Sequence, residues 1–175
     1  SEQTGYSSEF YGEGDRDQYF GTSMFVSGLN FKKPVNEKTF ISATLAVSLD
    51  EQHSRHNYLQ RSLEVNGTDT SIRVDDIYPM MGYEFETIKT SGYFALNHKV
   101  NKKHLIKFGL NADFFLFHQL DSVLSDLDMP DEFINRWDNN SNAVMIQPFV
   151  QWKYRATDNL DMTLGFHSQY FSYGN

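Results

Sequence analysis

The sequence predicts an all-β chain: a section of an antiparallel transmembrane β-barrel, about six strands in three hairpins, with short turns at one rim and long loops at the other. Three observations lead there. Apolar and polar residues alternate with period two over long stretches, as strand side chains do. The alternating stretches run to about ten residues or more, the length of a tilted bilayer-crossing strand and longer than most strands of soluble domains. The connections between them are alternately short and long.

In chain order, Ser1 to Gln18 is polar, broken by Gly12 and Gly14, and reads as loop. Tyr19 to Phe31 is a strand of imperfect alternation, followed by a short connection in which Pro34 removes a ladder donor and Asn36 suits a turn. Thr39 to Leu49 alternates cleanly, with Ile41, Ala43, Leu45, Val47 and Leu49 on one face. Asp50 to Tyr83 reads as a long irregular loop that contains Pro79 and the turn signal Asn66-Gly67. Glu86 to Val100 and His104 to His118 form the second hairpin around Asn101, Lys102 and Lys103. Gln119 to Asn142 reads as a second long loop, with a short helix expected from Pro130 to Trp137 because Pro, Asp and Glu suit a helix's first turn. Ala143 to Tyr173 is the last hairpin, with Val144, Ile146, Val150, Trp152, Leu160, Met162, Leu164 and Phe166 on its apolar face. Trp152 with Tyr154, and Tyr170 with Tyr173, are placed near strand ends as parts of an interfacial aromatic girdle.

Composition narrows the function. The formal net charge is -8, against the basic face of a nucleic-acid binder. There is no cysteine, hence no disulfide or thiolate metal site. No apolar run approaches the roughly 18 residues of a transmembrane helix, and a mean hydropathy of -0.54 is compatible with alternating barrel strands. The opening residues lack a basic region followed by an apolar core, so no signal peptide is expected there.

The segments HLIKFGLNADFF, IQPFVQWKY and LGFHSQYF resemble the barrel of TonB-dependent outer-membrane receptors of the Bacteroidetes type, which often carry a carboxypeptidase-regulatory-like domain. The resemblance runs from about Tyr19 to Asn175 and is best in the last half. It implies a bacterial outer-membrane protein that takes up a nutrient (iron chelate, glycan, peptide or vitamin). Its implied partners are outer-membrane lipid, a plug domain of its own, the TonB complex acting through that plug, and a substrate-binding lipoprotein. Such receptors have about 22 strands, whereas this chain supplies about six and contains neither plug nor TonB-contacting box. A partial, incomplete barrel domain over residues 1–175 is therefore expected. The rival readings are a small closed outer-membrane barrel and a soluble β-sandwich acting as a binding or adhesion module.

No catalytic set stands out: there is no G-x-S-x-G elbow and no Gly-rich phosphate loop, so the chain reads as no enzyme, with no cofactor. His53 and His56 would share a face only on a helix, and Asp126, Asp128, Asp131 and Glu132 miss calcium-loop spacing, so no metal site is assigned. The inward polar residues Lys107, Asn111, Asp113, Gln147, Gln151, Lys153 and Arg155 are the candidates for lining the lumen and holding the plug. Arg55, Tyr58, Arg61 and Trp137, placed on the long loops, are the candidates for touching substrate.

Overall fold

The computed structural model describes residues 16–126 and 129–174, with the side chains of 126–131 outside the described set. Among the described residues every long element is a strand: β1 (Arg16–Asn36), β2 (Thr39–Asn66), β3 (Asp69–Lys99), β4 (His104–Asp126), β5 (Met129–Thr157), β6 (Leu160–His167) and β7 (Tyr170–Gly174). They form one antiparallel sheet in sequence order β1-β2-β3-β4-β5-β6, with β7 also on β5.

The two segments expected as long loops are corrected: they are continuations of the strands. β2 is 28 residues and β3 is 31, where ordinary strands have about 5–6. Asn66-Gly67 does make the turn, but as a two-residue hairpin: Gly67 has φ 69, the only positive φ among the described residues, at the first central position that a type II′ turn reserves for glycine. The strand was hidden because alternation in this segment is short and interrupted, with Leu63 and Val65 before the turn and Ile72 and Val74 after it set among many charged residues. The helix expected at Pro130 to Trp137 is likewise corrected to strand, the start of β5. There the ladder to β4 takes the backbone groups, and Arg136 donates to Asp121 at 2.7 Å across the pair. Local helix-start chemistry yields to pairing with a strand already in place. The cluster Asp126, Asp128 and Asp131 lies outside the described side chains, and residues 1–15 of the expected N-terminal loop lie outside the described residues.

The short turns are set by side chains that mimic the backbone. Asn36 Oδ1 accepts from Lys38 N at 2.9 Å, Asn101 Oδ1 accepts from Lys103 N and His104 N at 2.8 and 3.0 Å, and Thr157 Oγ1 accepts from Asn159 N at 3.3 Å. The break between β6 and β7 is a chemical one, for the register does not change across it. Phe149 faces His167 on one side and Ile146 faces Tyr170 on the other, each three residues along both strands. Pro148 sits opposite the break with no N–H to give, while its carbonyl still accepts from Ser168 N at 3.1 Å. Gln147 Nε2 donates to Gln169 Oε1 at 3.1 Å beside the missing rung. Replacing Pro148 by Ala restores the donor facing Ser168 and is expected to stabilise the protein by about 0.5–1.5 kcal/mol, measured by denaturant unfolding. Unchanged stability, with the new amide of the Pro148→Ala protein left unprotected in hydrogen exchange, would show that the rung does not form.

By contacts the chain divides into two units. One takes Ser1–Ser23, Glu51–Glu86 and His118–Asn139; the other takes Met24–Asp50, Thr87–Phe117 and Asn140–Asn175. The second unit has its burial turned inside out. On β4, Lys107, Asn111 and Asp113 are half-buried while Phe108, Leu110, Phe114 and Leu116 are exposed. On β2, Ser42 is buried and Thr44, Ala46 and Ser48 are half-buried, while Leu45 and Val47 are exposed. Among the described residues Ala95 and Ala143 are its only buried hydrophobic ones, and Asn97 and Ser141 are buried with them. No large side chain is fully buried among the described residues. Small and polar groups take the sheltered face, and the large apolar ones face outward.

Candidate functional site

The sheltered face of the second unit is a polar surface threaded with aromatic rings. Lys89 Nζ lies 3.4 Å from Asp113 and 5.2 Å from the centre of the Phe115 ring, which stacks on Phe117. Lys107 Nζ stands 5.4 and 5.9 Å from the Phe149 and Tyr93 ring centres, and those two rings are parallel within 9°. An ammonium above ring faces is held by their quadrupoles while keeping donors free. The Phe149 ring reaches this position because β4 passes beneath it as Gly109, where an added Cβ would stand 2.6 Å from Phe149 Cζ and closer still to the Phe94 carbonyl oxygen.

Further along, Lys153 Nζ and Arg155 Nε bind Asp161 at 2.7 and 3.4 Å across the β5–β6 pair. The Lys153 hydrogen bond, followed by that from Arg155, holds the Asp161 carboxyl below the ordinary carboxylate range. Of the residues expected to line a lumen, Lys107, Asp113, Gln147, Lys153 and Arg155 thus each have a partner on this face. Asn111 is half-buried on it, and Gln151 is exposed opposite Gly165. The cation–ring pairs are the part of the site that the sequence reading missed. Their signal was present: Tyr93, Phe115, Phe117 and Phe149 interrupt the polar parity with aromatic residues.

Trp152 and Tyr154 stack with the imidazole of His104, at 5.7 Å and 4.8 Å between ring centres, and Trp152 Nε1 donates to His104 Nδ1 at 3.1 Å. Tyr170 is exposed on the apolar side of β7. Tyr173 departs from the girdle expectation, because its hydroxyl bonds Ser141 Oγ at 2.8 Å and Ser141 is buried. Its odd parity turns it to the polar side.

The first unit holds a cavity of about 410 Å³ lined by Glu51, His53, Arg55, Tyr83, Glu84 and Ser122 among others. Ser23 Oγ donates to Glu51 Oε2 at 3.1 Å, and Gly21 passes directly under the His53 imidazole, where a side chain would overlap it. Two carboxylates, a guanidinium, an imidazole and hydroxyl groups make a mixed-charge, hydrogen-bonding lining. The four residues expected to touch substrate are on strands, and the structure does not gather them. Arg55 lines the cavity and donates to Asn57 Oδ1 at 3.3 Å. Tyr58 stacks on Tyr78 within 8°. Arg61 is half-buried further along β2, and Trp137 is exposed on β5.

His53 and His56 lie three apart on a strand, which points them to opposite faces. His56 Nε2 instead bonds Ser54 Oγ at 2.8 Å. Among the described residues no three His, Asp or Glu side chains converge as metal ligands. Arg73 grips Asp75 at 2.7 Å near the β2–β3 hairpin. A hydrogen bond from Ser62, with that of Arg73, holds the Asp75 carboxyl below its usual range, and the same ion pair raises Arg73. Asp75 therefore stays ionised above the ordinary carboxylate range, and its contribution is lost only on acidification through the lowered value.

No protein-family model, no curated protein and no solved structure matches this chain.

Proposed function

We propose that this chain forms part of the wall of a bacterial outer-membrane β-barrel of the TonB-dependent receptor class, which takes up a nutrient. The observation that supports this most is the inverted burial of the second unit. In water, the exposed faces carrying Leu45, Val47, Phe108, Leu110, Phe114, Leu116, Leu164 and Phe166 would leave large apolar area unburied. In lipid the same faces are solvated, and the polar ones are sheltered, as barrel strands require. Between its edge strands the sheet keeps its backbone groups paired, and the remaining wall of a barrel would pair the edges, the condition for passage through hydrocarbon.

In this reading Lys107, Asn111, Asp113, Gln147, Gln151, Lys153 and Arg155 face the lumen and hold a plug domain through hydrogen bonds and ion pairs. TonB acts on that plug, and a substrate-binding lipoprotein delivers from outside. The nutrient is an iron chelate, glycan, peptide or vitamin. Arg55 is the best placed of the substrate candidates, since it alone of the four lines the cavity. Nothing in this role is catalytic.

Fractionation of bacterial cells tests the reading. The protein is expected in the outer-membrane fraction, released by detergent and not by salt or carbonate, and to migrate differently before and after boiling. Recovery as a folded monomer in plain buffer would overturn it in favour of a soluble sandwich.

A further inference from the structure

We propose that the end of this sheet carrying the turns at residues 37–38, 100–103 and 158–159 docks the phosphate groups of anionic phospholipid in the leaflet it meets, an inference that rests on the membrane reading above. Charge is sharply segregated along the chain. Residues 32–39, 99–105 and 153–161 carry eight of the 15 Lys and Arg but three of the 23 Asp and Glu. Those three short segments are thus net +5 in a chain of net charge -8. All belong to the second unit and hold its three short turns.

Backbone hydrogen bonds tie the three segments side by side. Lys99 N donates to Lys38 O at 2.7 Å, and Arg155 N donates to Lys103 O at 2.8 Å. Between the second and third segments opens a shallow cavity of about 210 Å³ lined by Lys99, Lys102, Lys103, His104, Lys153 and Arg155, with Asp161. Lys153 and Arg155, on the lumen side, are offset by Asp161, which leaves the turn lysines to meet the lipid. Lys99, Lys102 and Lys103 have no carboxylate partner among the described residues.

The occupant follows from what stands beside the cations. His104 lines the cavity and also stacks on Trp152 and Tyr154, so the basic cluster lies at the level of an aromatic belt. Indole and phenol rings settle at the headgroup level of a bilayer. Lysines there can extend along the strand ends toward phosphates, and basic residues next to a membrane draw anionic lipid. A polybasic rim at headgroup depth has a phosphodiester as its nearest abundant counter-ion.

The test uses the detergent-folded protein transferred into nanodiscs of equal phosphatidylcholine and phosphatidylglycerol, with retained lipid counted by native mass spectrometry. Phosphatidylglycerol is expected to be retained at about fivefold over phosphatidylcholine at low salt, as roughly one basic contact would give. That preference is expected to fall within about twofold in Lys102→Glu/Lys103→Glu, and to fade as salt shortens the screening length. Charge reversal at Arg16 and Arg73, in the other unit, is expected to leave it unchanged, with all variants keeping the parent β-sheet circular dichroism.

Insertion without lipid preference, or equal loss in both double variants, overturns the proposal while leaving the membrane reading intact. Displacement of the lipid by millimolar inorganic phosphate assigns the site to a soluble anion and overturns it as well. So does an acidic protein held by these lysines in the absence of any lipid preference. Failure to enter nanodiscs of either composition overturns the membrane reading itself, and this inference with it.

Discussion

Arginine at Leu110 is expected to lower unfolding stability in lipid by about 2–4 kcal/mol, the cost of a cation facing hydrocarbon near the bilayer midplane. Leu110 is exposed on the apolar side of β4, a strand with neighbours on both sides, so no sheet edge can receive the charge. It stands six residues from His104, whose ring joins the Trp152–Tyr154 stack. At about 3.4 Å per residue and a tilt near 45°, six residues rise roughly half the height of the apolar band. Gln151→Arg supplies the comparison. Gln151 lies on the opposite face of β5, across from Gly165, where a longer side chain has room. Arginine there is expected to change stability by less than about 1 kcal/mol. Urea titration of the vesicle-inserted protein measures both. Equal costs at the two positions would mean that the exposed apolar face does not meet lipid.

The second large effect is expected at Gly109, from packing. A methyl at this position would meet the Phe94 carbonyl oxygen on the neighbouring strand and sit 2.6 and 2.9 Å from Phe149 ring carbons. A ring can swing aside, but a carbonyl in the middle of a sheet cannot move without disturbing its ladder. Gly109→Ala should therefore cost about 1–3 kcal/mol, the usual range for forcing volume into filled space. It should also unseat Phe149 from Lys107. Gly92 is the control, since its nearest contact would be the Ala112 carbonyl oxygen at an ordinary 3.8 Å. Gly92→Ala should be neutral or stabilising, because alanine has less backbone freedom to lose. Pairing Gly109→Ala with Phe149→Leu separates the two obstacles. Recovery of most of the loss would place the strain on the ring, and no recovery would place it on the backbone. Equal stability of the Gly109→Ala and Gly92→Ala proteins would show that β4 does not pass so tightly under Phe149.

The strand cores were legible because one face of each is continuously apolar. Phe108, Leu110, Phe114 and Leu116 alternate with Lys107, Asn111 and Asp113, and nothing but a strand places them on opposite sides. The same rule failed beyond Asp50 and Gln119. There the apolar alternation is short and interrupted by charged residues, and Pro79 read as a breaker and Pro130 as a helix start, although a sheet tolerates proline where a rung can be spared. Asn66-Gly67 remained visible inside that stretch because a turn is set by local backbone chemistry. The candidate site was legible by parity alone. Parity gave Lys107, Asp113, Lys153 and Arg155 one face, but it could not say that Lys107 rests on Tyr93 and Phe149 from two other strands. Tyr173 was misplaced because its aromatic character was set above its odd position.

What the sequence determined by itself is therefore the class of structure, its hairpin order and which residues share a face, all consequences of short-range stereochemistry. Tertiary structure alone decided three further matters. It set how far the strands extend, because unpaired backbone groups in a polar segment are satisfied by whichever neighbour lies alongside. It set how deeply each residue of the polar face is sheltered, because burial belongs to the sheet as a whole. It brought two of the basic turns together at one cavity, because a hydrogen bond from Arg155 to Lys103 joins residues more than fifty positions apart.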